Sequence, residues 1–287
     1  MVAVVPRRTD GEERSSVPRW FIAGAAAVAA ALFAGVLAAQ APDAGELYRT
    51  GIRLFSERQS AAALEALERS VQLRPDYAAA WKALGVVSAA GGDYERAEKP
   101  FRMACQLQPD LPDACLYYGR ALYLLNRFSP ALEVLRPALQ NHPDNAQIYR
   151  LIALSSEALG ETSEAGAAFQ KAVLLNRGSP PNQGPPNEDP GIDYGVFLYR
   201  QGRAEEAVDP LESVLKRYPT ASRAHLELGC VLLALDRLPQ AETHLEQAVA
   251  LDSQSGRAHL LLGKVYLRLG KPEAGERQLR QGSLTVK

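Results

Sequence analysis

The sequence predicts an all-α protein: a solenoid of about seven helix-turn-helix units behind one N-terminal transmembrane helix. Three observations carry this. Small residues recur at a period of 34: Gly51, Gly85, Gly119 and Ala153, then Gly195, Gly229 and Gly263. Each unit holds two apolar-periodic stretches of about a dozen residues, divided by a short polar turn such as "AAGGDYERA", and no strand pattern occurs. An uncharged run of twenty residues, Trp20 to Ala39, precedes them all.

Residues 1–19 read as a disordered cytoplasmic tail carrying Arg7, Arg8, Arg14 and Arg19. The run 20–39, "WFIAGAAAVAAALFAGVLAA", would span about 30 Å as a helix, the thickness of a bilayer's hydrocarbon core. Half of it is Ala; Phe21, Ile22, Leu32, Phe33, Val36 and Leu37 supply most of its hydropathy. Only Arg49 and Arg53 follow closely. The positive-inside rule therefore anchors the chain in the cytoplasmic membrane with everything after Gln40 outside, in the periplasm. A cleaved secretory signal is the competing reading, with small residues around Val36-Leu37-Ala38; it would leave a periplasmic or secreted adaptor. The long polar leader and the full length of the run favour a retained anchor.

Residues 44–179 hold the first four units. Twelve residues after each small slot stands Ala63, Ala97, Ala131 or Ala165, and four further on Leu67, Phe101, Leu135 or Phe169. Small residues let two antiparallel helices approach closely, and large apolar residues fill the space between them. Pro75, Pro109, Pro143 and Pro219 close four of the units. The step from Ala153 to Gly195 is 42, so eight residues are inserted there. The interval contains "GSPPNQGPPNEDPG", Gly178 to Gly191. Residues 180–187 read as a proline-rich inter-repeat insertion, a hinge or a projecting contact loop, with Asp189-Pro190 as N-cap and first helical position. The same phase resumes over residues 188–287 for three more units.

The stretch "WKALGVVSAAGGDYERAEKPFRMACQLQP", Trp81 to Pro109, resembles the tetratricopeptide repeat signature at Trp81, Leu84, Gly85, Ala97, Phe101, Ala104 and Pro109. The resemblance runs through all seven units; joined to the anchor at 20–39 it reads as a membrane-anchored bacterial member of the family. It implies a right-handed superhelix, a protein-binding concave face lined by the first helix of each pair, and a scaffold or assembly role without catalysis; a module that recruits substrates for a separate enzyme is the alternative. Departures are local. His225 and His259 take the Trp slot, Ser88 and Ser156 replace a large residue, and Arg177 and Ser253 replace the closing proline.

Chemistry is sparse. A net charge of -1 offers no field for nucleic acid. No nucleophile motif or phosphate loop occurs, and no cofactor is expected. The spacing of His225 and His259 follows the repeat, so no metal site is assigned. Cys105 and Cys115 could meet across a turn, but the odd total of three argues against a disulfide framework; the expectation is small buried apolar side chains. What remains is surface. Projecting the first helices predicts a groove for protein or peptide partners built from Tyr48, Phe55, Lys82, Tyr117, Arg120, Tyr123, Arg150, Val196 and Tyr199, with Ile52, Val86, Leu116, Leu154, Ile192, Leu226, Leu260, Lys264 and Leu267 alongside.

Overall fold

The computed structural model describes residues 42–177 and 186–285. The expected tail and membrane segment, 1–19 and 20–39, and most of the proline-rich insertion lie outside the described residues. Among those described, no helix is long and apolar enough to cross a membrane.

Fourteen helices form seven antiparallel pairs, with no strand among the described residues. Four pairs precede the insertion: α1 (Ala44–Ser56) with α2 (Ser60–Leu73), α3 (Ala78–Ala90) with α4 (Tyr94–Leu107), α5 (Ala114–Leu124) with α6 (Phe128–Asn141), and α7 (Ala146–Ala158) with α8 (Thr162–Arg177). Three follow: α9 (Pro190–Arg200) with α10 (Ala204–Arg217), α11 (Ser222–Ala234) with α12 (Leu238–Leu251), and α13 (Gly256–Arg268) with α14 (Pro272–Thr285). Successive first helices touch one another, as α5, α7, α9 and α11 do, which makes them the inner layer of the stack.

The period of 34 has a direct physical origin. A Cβ on Gly119 would stand 2.4 Å from Cδ2 of Leu135; one on Gly85 would stand 2.5 Å from the Phe101 ring. Gly51, Gly195, Gly229 and Gly263 face Leu67, Leu211, Leu245 and Leu279 in the same way. In the fourth pair Ala153 and Phe169 are both fully buried. The alanines twelve residues after each small slot, Ala63 to Ala241, are fully buried as well. The turn inside each pair needs a left-handed residue. Gly92 supplies it at φ 79°, whereas Arg58, Asn126 and Asp236 adopt the same conformation at 62°, 57° and 58° without glycine's freedom.

The histidines in the Trp slot reproduce its hydrogen bond. Trp81 Nε1 donates to the Pro75 carbonyl at 2.8 Å; His225 Nε2 meets the Pro219 carbonyl at 3.0 Å and His259 Nε2 the Ser253 carbonyl at 3.1 Å. Because a carbonyl only accepts, His225 carries its proton on Nε2. Its Nδ1 is then free to accept from His244 Nδ1, 3.1 Å away. In the next unit Gln278 occupies the position of His244, with Oε1 2.6 Å from His259 Nδ1.

The stack continues through the insertion. One buried core runs from Cys115 to Val265, and Phe169 packs on Phe197 with centroids 5.3 Å apart. The chain re-enters through a 3-10 turn, Pro186–Glu188. Asp189 then caps α9, accepting from the Gly191 amide at 2.8 Å, and Pro190 opens the helix. Burial pushes the Asp189 carboxyl up; that amide, Arg217 and Asn176 oppose the shift. Asn187 accepts from the Arg223 amide at 3.1 Å and donates to Ser222 Oγ at 3.3 Å, fixing the turn to α11.

The cysteine expectation is corrected. Cys105 at the end of α4 and Cys115 at the start of α5 form a disulfide, with Cα atoms 4.7 Å apart, and Cys230 is free. The connection between two antiparallel helices folds back on itself and brings the last turn of one beside the first turn of the next. An odd cysteine total does not bear on a single bridge.

Two measurements follow. Closing a loop of separation 10 removes chain entropy worth about 2–3 kcal/mol. Reductant, or the Cys105→Ser/Cys115→Ser double variant, should lower stability by that amount in urea unfolding, while Cys230→Ser leaves the oxidised midpoint in place. An unchanged midpoint under reductant would count against the bridge. Burial first, and His225 second, hold His244 below the usual histidine value of 6.5, with Glu212 opposing. The unfolded chain therefore takes the proton more readily. The resulting stability is complete above the unfolded value and is lost as pH falls below it. His244→Gln should lose less stability than wild type between about pH 7.5 and about pH 5.5; equal losses in the two proteins would contradict this account.

Candidate functional site: the inner face

The first helices carry the sequence-predicted residues to different fates. Tyr48 is half-buried against Tyr77, with centroids 5.2 Å apart, and Phe55 packs on the core of the first two pairs. Lys82 donates to the Pro112 carbonyl at 3.0 Å, so it is tied to the loop that the disulfide brackets. Tyr117 lies on Phe101 and Tyr123 on Phe128, with centroids 5.5 and 5.7 Å apart. Burial is the main cause that pushes both hydroxyls up, so they stay neutral donors. Val196 and Tyr199 are half-buried; the neighbouring Cys230 and then burial push the Tyr199 hydroxyl up.

Ile192 is corrected: it is fully buried and lines no surface. It is a member of the main hydrophobic core. Leu260 is half-buried and rests against Gly282 of α14, whereas Leu267 touches Gly275 and stays exposed. Leu116, Leu154 and Leu226 pack against the main core, whereas Ile52 and Lys264 are exposed.

The structure brings one subset together. Between α3 and α5 lies an apolar hollow of about 260 Å³, lined by Val86, Ala89, Tyr94, Phe101, Tyr117 and Arg120. Arg120 is half-exposed and pairs with Glu188 at 3.1 Å. Beyond it lies an ionic knot. Asp193, with only 4 % of its side chain exposed, accepts from Arg150 and, at 2.5 Å, from Arg223. Arg150 is 12 % exposed and stands 3.9 Å from Glu188. The guanidinium expected as a free groove cation is thus held mainly by a neighbour within the chain.

Glu188, Asp193 and Arg223 were absent from the sequence-based set. A periodic signal could have found two of them. Asp193 and Glu227 stand 34 apart, as do Arg223 and Arg257, and each arginine bonds the acid 30 residues earlier. Among the described residues, no group of three or more His, Cys, Asp or Glu is placed to hold a metal ion.

A stack of helix pairs with a continuous core and an inner face of aromatics and arginines defines a helical-repeat interaction scaffold. Family models agree. Residues 63–180 match the cytochrome c-type biogenesis protein H TPR domain, and residues 198–250 and 226–281 match tetratricopeptide repeat models. Tetratricopeptide repeat models thus match segments spread over residues 63–281. Human intraflagellar transport protein 70A is 26 % identical over 183 residues, 64 % of this chain and 27 % of that protein. The chain therefore spans about a quarter of that relative's length. Among solved structures, the Cut9-Hcn1 hetero-tetramer of APC/C matches with a TM-score of 0.65 at 20 % identity, over 82 % of this chain and 45 % of that one. PilW, titled a type IV pilus biogenesis factor, matches with 0.61 at 23 %, over 71 % and 91 %. Identities this low speak to the fold alone.

Asp193→Ala leaves Arg150 and Arg223 facing each other without their buried acid. Breaking such a pair costs about 3–5 kcal/mol. Urea unfolding should show a loss in this range, with a smaller one for Asp193→Asn; a loss under about 1 kcal/mol for the alanine variant would make the knot incidental.

Proposed function

We propose that this chain is a non-catalytic scaffold for the assembly of c-type cytochromes, held in the cytoplasmic membrane by residues 20–39 and displaying its repeats on the periplasmic side. Protein or peptide segments bind its inner face. The observation that carries this reading is the Cys105–Cys115 disulfide, which lies inside the 63–180 segment that matches the cytochrome c-type biogenesis domain. Structural disulfides persist in oxidising compartments and are rare in a reducing cytosol. The arginine-rich leader before residue 20 points the same way. The hollow beside Tyr117 and the aromatic step at Tyr123 supply the apolar anchors that a peptide-binding face needs.

The experiment is haem staining of membranes from cells lacking the chain. Covalently attached haem should fall at least severalfold, and wild type should restore it. Tyr117→Ala/Tyr123→Ala, expressed at equal level, should restore it only in part. Normal c-type cytochromes in the disrupted strain would overturn the proposal. N-terminal sequencing of the mature chain separates the retained anchor from a cleaved signal: a start near Ala39 removes the anchor and leaves a periplasmic adaptor.

A further inference from the structure

Glu188, at the end of the 3-10 turn that leads into α9, brings a carboxylate onto the inner face. Glu188 sits 3.1 Å from the guanidinium of Arg120, 68 residues earlier in the chain, and 3.9 Å from that of Arg150. Arg120 is also the polar edge of the hollow formed by Val86, Tyr94, Phe101 and Tyr117. A cation at the edge of an aromatic hollow is complementary to a ligand with an acid beside an apolar side chain. Glu188 satisfies the acidic half of that demand from within the chain.

Both members of this pair remain accessible, at 45 % for Arg120 and 34 % for Glu188. An ion pair so exposed shifts an equilibrium by only about two- to fivefold. The Asp193 carboxylate of the same cluster, at 4 %, is by contrast locked between two arginines.

We propose that the hollow between α3 and α5 takes a protein segment bearing an Asp or Glu next to an aromatic or large aliphatic residue, and that Glu188 is an internal stand-in for that carboxylate, displaced from Arg120 when the segment docks. The inference rests on the inner face being the partner surface. It adds to that reading the class of segment recognised and a built-in competitor that the segment's own acid must displace from Arg120.

The test uses the full chain and two fluorescein-labelled peptides, Gly-Phe-Asp-Glu-Phe-Gly and its counterpart with Asn-Gln in place of Asp-Glu, in anisotropy titrations at low salt. The acidic peptide should bind wild type more tightly than the neutral one. Glu188→Gln should tighten the acidic peptide about two- to fivefold and leave the neutral one unchanged. Arg120→Gln should weaken the acidic peptide by a similar factor. Both substitutions are at accessible positions, and circular dichroism checks that helix content is kept. Equal affinity of wild type and Glu188→Gln for the acidic peptide overturns the proposal. So does an equal gain for the neutral peptide, which would mean that the charge at residue 188 acts on occupancy in general and not on the acid, or failure of Glu188→Gln to bind the acidic peptide. The haem readout is independent of these titrations: cells that need the chain for c-type cytochromes, with peptide affinities insensitive to residue 188, keep the scaffold and lose only this inference.

Discussion

Everything in this structure depends on how closely two helices of a pair can approach. The distance is set by one small residue facing one large residue sixteen positions later, Gly119 with Leu135 being the tightest case at 2.4 Å for an added Cβ. A pair closed at this distance is thin and has apolar surface on both flanks. It cannot bury that surface alone, so pairs must stack, and stacking fixes the first helices on the inside. Ion pairs between neighbouring units, such as Arg96–Glu68, Arg127–Glu98 and Arg237–Glu205, decorate this arrangement. They are solvent-exposed in large part and contribute at most about 1 kcal/mol each, so they tune register and do not create it.

The insertion is where this rule is put under load. Eight additional residues between two units could have uncoupled the stack. The core instead crosses the junction through Phe169 and Phe197, while polar groups hold the incoming chain: Asp189 bonds Asn176 Nδ2 at 2.7 Å, and Asn187 bonds the start of α11. The apolar contact makes the two sides one body, and the polar contacts decide where the returning strand of chain lies. Asp193 lies in the first turn of α9 with 4 % of its side chain exposed, and its charge is tolerable there because both Arg150 and Arg223 reach it.

The repeat period, the two helices per unit, the small and large slots and the Asp189 cap were all legible in the sequence, because each is a local pattern repeated seven times or a known cap chemistry. The membrane run lies outside the described residues. The disulfide was not legible, because its formation depends on how one particular connection folds, and a cysteine count carries no such information. The histidines were read as departures from the Trp slot, yet a ring N–H aimed at the carbonyl six residues back is what that slot requires, and imidazole provides one. The site was legible in its aromatics and only partly in its charges. Helical projection shows which face a residue occupies, but not which guanidinium is already engaged. Arg150 is engaged by a residue 43 positions away across an insertion, a separation that no repeat phase would suggest.

The same arginine cluster therefore holds two acids on different terms. Removing Asp193 would leave the largely buried Arg150 without its main counter-charge, so this bond is a permanent feature of the fold. Glu188 leaves nothing stranded when it moves, since Arg120 is already half in water and Arg150 keeps Asp193. A fixed acid offsets one of the three cations and ties Arg150 and Arg223 in place. A replaceable acid leaves a small residual preference for one anion in one place. That preference gains force only where the anion arrives together with a side chain that fills the neighbouring hollow, because neither contact alone exceeds what water and salt offer in exchange. Selectivity on this face is thus a property of the juxtaposition of the hollow with Arg120, and the turn ahead of α9 supplies the competing carboxylate without using any of the close-packed slots of the repeats.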